Sequence, residues 1–186
     1  MKLNFFKKTL VLFCSLSLCV NHKASSAPSK NSAGKMNLRA LSYEGERRSK
    51  IMLDQGSCYG SNLSPEISWS LNESARSYAV IIRDADCNFT YWTIYNIPSE
   101  IKLIPEGYSS AGAGKPDSPG IQALNDYGKA GYGGYCPSIT RTPGKMVVEL
   151  FALKVQKIAV PANSTAALTR LFIEKYAISK SVTTIS

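Results

Sequence analysis

Runs of apolar, β-branched and aromatic residues constrain the fold of this chain more than any other feature. The longest cover residues 78–83, 91–97 and 145–153, and a shorter one covers residues 66–70. Val, Ile, Tyr and Trp favour strands, and a nearly continuous apolar run such as 78–83 is typical of a strand covered on both faces. The sequence therefore predicts a mainly β protein.

A helix packed on the sheet is predicted near the C-terminus. Asn163 and Ser164 are residue types that cap helix N-termini, and apolar residues recur behind them at the spacing of one helical face. These apolar residues are Leu168, Leu171, Phe172 and Tyr176. We find no internal repeat and no domain linker, so the sequence predicts one mainly β domain with a C-terminal helix.

Residues 107–134 are rich in Gly, Pro, Ser and Ala, which predicts a long irregular loop region. Loops of that length without secondary structure are uncommon and often line sites.

The N-terminal segment resembles a secretory signal. Residues 2–8 form a basic start, residues 9–20 are an apolar run of 12, and small residues follow at 24–27. A helix that spans a bilayer needs about 20 apolar residues, whereas the apolar core of a secretory signal is shorter. We therefore predict a signal peptide over residues 1–26, cleaved after Ser26.

The predicted signal divides the chain into a loose leader over residues 27–45 and one domain over residues 46–186. Two alternatives to cleavage stay open, namely lipid attachment at Cys19, which the large Leu18 disfavours, and a retained helix. The favoured interpretation is export to the bacterial periplasm or the medium without a stable membrane anchor.

Removal of this segment would change the charge and the chemistry of the chain. The formal net charge of +9 includes four lysines of the segment, and without them 18 basic residues face 13 acidic ones, which leaves +5. The lysines are Lys2, Lys7, Lys8 and Lys23. The only histidine, His22, lies in the same segment. The processed chain would therefore lack catalytic triads, metal sites and acid–base pairs that depend on histidine.

Three cysteines remain after the predicted cleavage, at positions 58, 87 and 136. An odd number in an oxidising compartment implies one disulfide and one thiol, or an intermolecular bond. The CxxC spacing of redox and zinc sites is absent from the sequence, so we predict no metal site.

Other function classes find little support. The Gly-Lys pairs at 114–115 and 128–129 lack the first glycine and the hydroxyl residue of a phosphate-binding loop, and no GxGxxG occurs. The basic residues are dispersed, whereas a nucleic-acid surface would cluster them with aromatic residues. We predict no nucleotide or other cofactor and no nucleic-acid partner.

Asp84 and Asp86 follow the 78–83 strand two residues apart. Residues with that spacing point to the same side of a strand, so the carboxylates could form an acid–base pair or a cation site. In the alternative, which we favour, one or both cap the turn after the strand through hydrogen bonds to the backbone.

Several segments, taken in order, resemble the phosphatidylethanolamine-binding protein family in its bacterial Raf-kinase-inhibitor-like branch. They cover roughly residues 51–155, and the most specific is NDYGKAGYGGYCP at 125–137, which is similar to N-D-F-G-K-x-G-Y-G-G-x-C-P. The others are GSNLSPEISW at 60–69, YAVIIRDADCN at 78–88, WTIYNIP at 92–98, LIPEG at 103–107 and FAL at 151–153.

The resemblance implies an antiparallel β-sandwich-like fold with peripheral helices and a small pocket for anionic groups such as phosphate. It also implies a Cys58–Cys136 disulfide that leaves Cys87 outside the pair, because exported bacterial relatives carry cysteines at the two matching positions.

The chain departs from the family pattern where the anion is held. Tyr91 and Gly144 stand where the family has histidines, Met146 replaces a tyrosine, and D-P-D-A-P has become DADCN at 84–88. An anion needs convergent donors, so we expect weak or altered binding. The predicted ligand-binding residues are Asp84, Asp86, Asn88, Tyr91, Trp92, Pro137 and Gly144.

Three functions compete at this point. The first is a non-catalytic exported protein that binds a small polar or anionic ligand. The second is a protein-interaction or inhibitor module with a vestigial pocket, since the resemblance extends to a family that includes kinase and protease inhibitors. The third, a hydrolase using Asp84 and Asp86, lacks a visible activated nucleophile and base. We expect no enzymatic activity.

Overall fold

The computed structural model describes residues 36–41, 62–109, 119–136 and 146–185. These contain eight strands and one helix. The strands are β1 (Leu38–Leu41), β2 (Glu66–Trp69), β3 (Ser77–Asp84), β4 (Thr90–Pro98), β5 (Leu103–Ile104), β6 (Ile121–Gln122), β7 (Met146–Leu153) and β8 (Ala177–Ile185), and the helix is α1 (Ala166–Tyr176). The predicted signal peptide, Cys58, Pro137 and Gly144 lie outside the described residues.

The strands form two antiparallel sheets. The smaller has the order β1-β2-β5, and the larger has the order β6-β4-β3-β7-β8. The four predicted strands correspond to β2, β3, β4 and β7. The mainly β prediction with a helix near the C-terminus is therefore confirmed.

The larger sheet is covered on both faces. Val80 and Ile82 of β3 belong to the same buried cluster as Ile67 of the smaller sheet, whereas Ala79 and Ile81 pack in a second cluster with residues of α1. Because successive side chains of a strand point to opposite faces, the smaller sheet covers one face and α1 the other. This arrangement explains why the apolar run of β3 is nearly continuous.

The helix begins and packs differently from the prediction. Its N-cap is Thr165, whose hydroxyl accepts a hydrogen bond from the Leu168 N–H at 3.3 Å, so neither Asn163 nor Ser164 is the cap. The buried face is formed by Ala166, Thr169 and Ile173. Leu168 and Leu171 of the predicted apolar stripe are 39% and 65% exposed.

Small side chains account for this orientation. Ala166 and Thr169 let the helix lie close to the larger sheet, where Ile173 completes the second cluster. Phe172 and Tyr176 of the predicted stripe pack only at the edge of that cluster.

Four strands were not anticipated by the sequence patterns. Two of them, β5 and β6, have only two residues each, and β6 lies within the region 107–134 that was predicted to be an irregular loop. The other two, β1 and β8, are longer. β8 follows α1 directly and pairs along its whole length with β7. β1 lies within residues 27–45 and pairs with β2. The loose leader predicted for 27–45 therefore does not extend over Leu38–Leu41.

Glu149 of β7 forms ion pairs with α1 and with its neighbouring strands β3 and β8. Its carboxylate is 1% exposed and lies 2.7 Å from Arg170 Nη1 and 2.7 Å from Lys180 Nζ. Arg83 Nη2 approaches at 3.3 Å, and Arg170 also pairs with Glu174. Burial raises the pKa of Glu149, but the hydrogen bonds and charges of Lys180 and Arg170 outweigh it and lower the pKa from 4.5 to about 2.

Within the described part of the chain, no helix is long and apolar enough to cross a bilayer.

Candidate functional site

The turn after β3 is organised by Asp84. Its Oδ1 accepts hydrogen bonds from the backbone N–H groups of Asp86 at 2.7 Å and Cys87 at 3.2 Å, and its own N–H donates to the Phe89 carbonyl at 2.7 Å. Asp84 is 2% exposed, whereas Asp86 and Asn88 are exposed. Asp84 therefore caps the turn, and the two carboxylates have different surroundings.

A bulge in β4 brings Tyr91 to Asp84. The register between β3 and β4 shifts between Ile82 and Arg83, which makes Tyr91 the extra residue on β4. Tyr91 and Trp92 consequently both face the core between the sheets, although adjacent strand residues normally point to opposite faces. The Tyr91 hydroxyl donates to Asp84 Oδ2 at 3.2 Å.

The glycine-rich loop is held in shape by Asn125. The side-chain oxygen of this buried residue accepts from the N–H groups of Tyr127 at 3.0 Å and Lys129 at 3.1 Å, and its amide donates to the Gly131 carbonyl at 3.0 Å. Gly131 has a φ of +105°, a conformation that favours glycine. The loop is thus fixed from within by one side chain.

The same loop closes over Tyr91. The Gly133 N–H donates to the Tyr91 carbonyl at 2.9 Å, and the Tyr127 hydroxyl donates to the Gly134 carbonyl at 2.8 Å. A Cβ on Gly133 would lie 2.6 Å from Tyr127 Cδ2, so a glycine is required for this close approach. Burial and, to a smaller extent, Tyr135 raise the pKa of Tyr127 to about 12.

Three aromatic rings complete the arrangement. The centroid of Phe89 lies 4.8 Å from that of Tyr127 and 5.3 Å from that of Tyr91, and the latter two are 6.5 Å apart. We use the name Asp84 surface for the turn 84–89 together with Tyr91 and Tyr127. It joins the end of β3, the bulge of β4 and the glycine-rich loop.

Trp92 has a different position from the other predicted ligand-binding residues. It is fully buried, its Nε1–H donates to Gln122 Oε1 at 2.8 Å, and its ring meets that of Tyr132 edge-on. The same oxygen of Gln122 accepts from the Ser109 hydroxyl, which in turn accepts from the Tyr132 N–H at 2.8 Å. Trp92, which is fully buried like Tyr91, therefore supports the loop from beneath through Gln122 and Tyr132. Burial raises the pKa of Tyr132.

The structure describes five of the seven predicted ligand-binding residues. Asp84 and Tyr91 are in contact, Asp86 and Asn88 lie on the exposed side of the turn, and Pro137 and Gly144 are outside the described residues. Cys136 is buried, but Cys58 is not among the described residues, so the pairing of the two stays a prediction. No cluster of three or more potential metal ligands occurs among the residues that are described.

Sequence reasoning did not identify Phe89, Tyr127, Asn125 or Gly133 as residues of this surface. The close repetition of Asn, Gly and Tyr in residues 125–135 was the available signal, because a loop that approaches another strand needs glycines and an internal side-chain bond.

Comparison with known proteins identifies relatives of this chain. The sequence profile of the phosphatidylethanolamine-binding protein family matches residues 42–186. The chain is 35% identical to YbcL of Escherichia coli over 116 residues and 33% identical to a UPF0098 protein of Aquifex aeolicus over 113 residues. These alignments cover 60% and 58% of this chain and 63% and 64% of the relatives, which is less than two thirds of their length.

Solved structures agree with this similarity. The crystal structure of Escherichia coli YbcL, described as a new member of the mammalian PEBP family, superposes with a TM-score of 0.69 at 27% identity and covers 81% of this chain and 96% of that one. CT736 of Chlamydia trachomatis, at 22% identity, has a TM-score of 0.59 over 81% of this chain and 97% of that one, and shares the fold.

Proposed function

Because the chain belongs to the phosphatidylethanolamine-binding protein family, we propose that it is a non-catalytic binding protein. The proposed ligand is small and polar or anionic, of the phosphate or phospholipid head-group type, and it binds weakly at the Asp84 surface. The observation that carries the proposal is the contact between Asp84 and Tyr91, which joins the turn, the bulge and the glycine-rich loop into one surface.

This surface offers several kinds of contact to a small ligand. The exposed side chains of Asp86 and Asn88 are polar, and the partly buried rings of Phe89 and Tyr127 can pack against apolar atoms. Hydrogen bonds hold the turn to Asp84 and the loop to Asn125, so little order has to be gained when a ligand binds. Such preorganisation favours binding.

Catalysis finds less support, because the reactive groups already have partners. The Asp84 carboxylate accepts two backbone N–H groups and the Tyr91 hydroxyl. A general base needs to reach a substrate proton, and a nucleophile needs an adjacent base. Asp84 serves instead to fix the turn, which is a binding and positioning role.

Anions are expected to bind weakly. Tyr91 and Gly144 occupy the positions of two histidines in the family pattern, and Asp84 and Asp86 add negative charge to the turn. Tyr91 supplies a neutral donor in place of a cationic ring, and its hydrogen is directed to Asp84. A phosphate group would therefore lack the charge-assisted bonds that make such sites strong.

Titration calorimetry with phosphoethanolamine, inorganic phosphate and Mg²⁺ tests this proposal. Tyr91→Phe removes only the hydroxyl that holds Asp84 and should weaken phosphoethanolamine binding about tenfold. Tyr91→His restores an imidazole and should strengthen phosphate binding. Tyr95→Phe is the matched control, because Tyr95 lies on β4 but packs in the cluster beneath α1.

Two results would contradict the proposal. Absence of binding across the three probes would favour the protein-interaction or inhibitor alternative. Turnover of a phosphate ester by the purified chain, lost in Asp84→Asn, would show that the surface is catalytic.

Export is a further part of the proposal. It is supported by the basic start at 2–8, the short apolar run at 9–20 and the small residues before Ala27. N-terminal sequencing of protein recovered from the periplasm or the medium should give Ala27 as the first residue. A chain that retains residues 1–26 in the cytoplasm would contradict it.

A further inference from the structure

The smaller sheet carries a cleft on the face away from the core. The register aligns Arg39 of β1, Ser68 of β2 and Leu103 of β5 in one row across the three strands. Ile67 and Ile104, their neighbours on β2 and β5, belong to the core between the sheets, so the row faces outward. The cleft along it has a volume of about 410 Å³ and includes Lys102.

The polar groups of this cleft are mainly hydrogen-bond donors. Arg39 and Lys102 are both exposed and form no ion pair with any residue in the described ranges. Ser68 of β2 lies between Arg39 of β1 and Leu103 of β5, and Lys102 directly precedes β5. The Ser70 hydroxyl accepts the Asn37 N–H at 2.8 Å, which leaves its own hydrogen available. Among the residues that the structure describes, none that lines the cleft is acidic.

Glu66, on the same strand as Ser68, is a carboxylate that could compete for these cations. It does not line the cleft and forms no ion pair within the described part of the chain. The positive charge of Arg39 and Lys102 is therefore available to a ligand.

We propose that this cleft binds the anionic oxygens of a phosphate or carboxylate group, separately from the Asp84 surface on the larger sheet. Arg39 would supply a planar pair of donors, Lys102 a point charge, and Ser68 a hydroxyl. The half-exposed side chain of Leu103 gives an apolar part of the same ligand a surface to cover.

An adjoining cleft extends the space beyond Arg39. It lies between β1 and β8, has a volume of about 600 Å³, and shares Asn37 and Arg39 with the first cleft. Its described lining residues also include no acidic side chain. Lys180 lies there, but its ammonium is 2.7 Å from the Glu149 carboxylate and is directed to that group. The anionic group is therefore assigned to the Arg39–Lys102 cleft and the remainder of a larger ligand to its neighbour.

The test is an NMR titration of the full chain with inorganic phosphate, and separately with succinate, at constant ionic strength. Saturable shifts are expected at the amides of Arg39, Ser68 and Leu103. The double variant Arg39→Gln/Lys102→Gln should raise the apparent Kd for both anions at least about tenfold. Arg76→Gln/Lys157→Gln removes two exposed cations outside the cleft and should leave the Kd within about twofold.

Several outcomes would overturn the assignment. The first is the absence of saturable chemical-shift changes with phosphate and with succinate. The second is an equal loss of anion affinity in both double variants. The third is binding to phosphatidylglycerol vesicles by a protein that does not respond to the soluble anions. Tyr91→Phe, which should weaken ligand binding at the Asp84 surface, separates this proposal from the function proposed above. Phosphate binding at the Arg39–Lys102 cleft should survive that change, and its loss would place the anion at the Asp84 surface instead.

Discussion

Replacement of Glu149 by glutamine should destabilise the protein strongly, because it leaves three cations around an uncharged buried group. The folded carboxyl has a pKa of about 2 against 4.5 in the unfolded chain. With about 1.4 kcal/mol for each pKa unit, this difference corresponds to about 3 kcal/mol. Because Arg170 and Lys180 are partly exposed and solvent screens their charges, we expect Glu149→Gln to lower the unfolding free energy at neutral pH by about 2 to 3 kcal/mol.

The same reasoning fixes the dependence on pH. A lowered folded pKa means that the stabilisation is complete above the unfolded value of 4.5 and is lost as the pH falls toward about 2. The amide of Glu149→Gln does not titrate. The difference in unfolding free energy between wild type and variant should therefore shrink across this interval and approach zero at its lower end.

Urea unfolding followed by tryptophan fluorescence measures this difference, since Trp69 and Trp92 are both buried. Glu174→Gln is the matched control, because within the described ranges Glu174 pairs with Arg170 alone and its side chain is 46% exposed. An exposed pair of this kind contributes about 0.3 to 0.5 kcal/mol. The role assigned to Glu149 would be refuted if Glu149→Gln lowered the unfolding free energy no more than the control does. It would also be refuted if the difference in unfolding free energy between wild type and Glu149→Gln were the same at neutral and at acidic pH.

Three further predictions concern single contacts. Gly133→Ala places a Cβ 2.6 Å from Tyr127 Cδ2, so we expect a loss of about 1 to 3 kcal/mol in urea unfolding, and an unchanged midpoint would disprove the steric argument. Thr165→Ala removes the acceptor for the Leu168 N–H and should lower stability by about 1 kcal/mol, whereas Thr165→Ser keeps the oxygen and should restore most of it. The pKa of Tyr127 in the folded protein is about 12, against 10 for an ordinary tyrosine. The stabilisation that comes from keeping Tyr127 neutral should therefore be complete below pH 10 and be lost as the pH rises toward 12. Tyr127→Phe should flatten that fall, and a tyrosinate absorbance curve identical to that of the wild type would contradict the assignment.

The strands that local sequence predicts are those with dense apolar runs. The predicted span 78–83 lies within β3, and 91–97 lies within β4, because both strands are buried on their two faces. β8 has alternating exposed and partly buried residues, and it follows α1 without a turn residue. Its pairing with β7 is a contact between distant segments, which no window along the chain contains.

The helix shows a different limit of sequence reasoning. Apolar spacing correctly predicts a helix, but it cannot decide which of two faces packs against the sheet. Leu168 and Leu171 are larger and more apolar than Ala166 and Thr169, yet the smaller residues face the sheet. With small residues on the buried face, the helix backbone can lie close to the sheet, and Ile173 packs in the second cluster. This close packing stabilises the helix more than burying the larger leucines would, since they would hold the helix farther from the sheet.

The Asp84 surface depends on a bulge that no local pattern indicates. Simple alternation from Trp92 would direct Tyr91 toward the α1 face of the larger sheet, away from the core between the sheets. The extra residue in β4 reverses this direction and brings the hydroxyl to Asp84. Because the same position carries a histidine in the family pattern, tyrosine keeps a donor to the carboxylate while removing the possibility of a cationic ring. The turn and the loop can then keep their geometry while the affinity for anions falls, and for this reason we expect Tyr91→His to alter ligand preference more than stability.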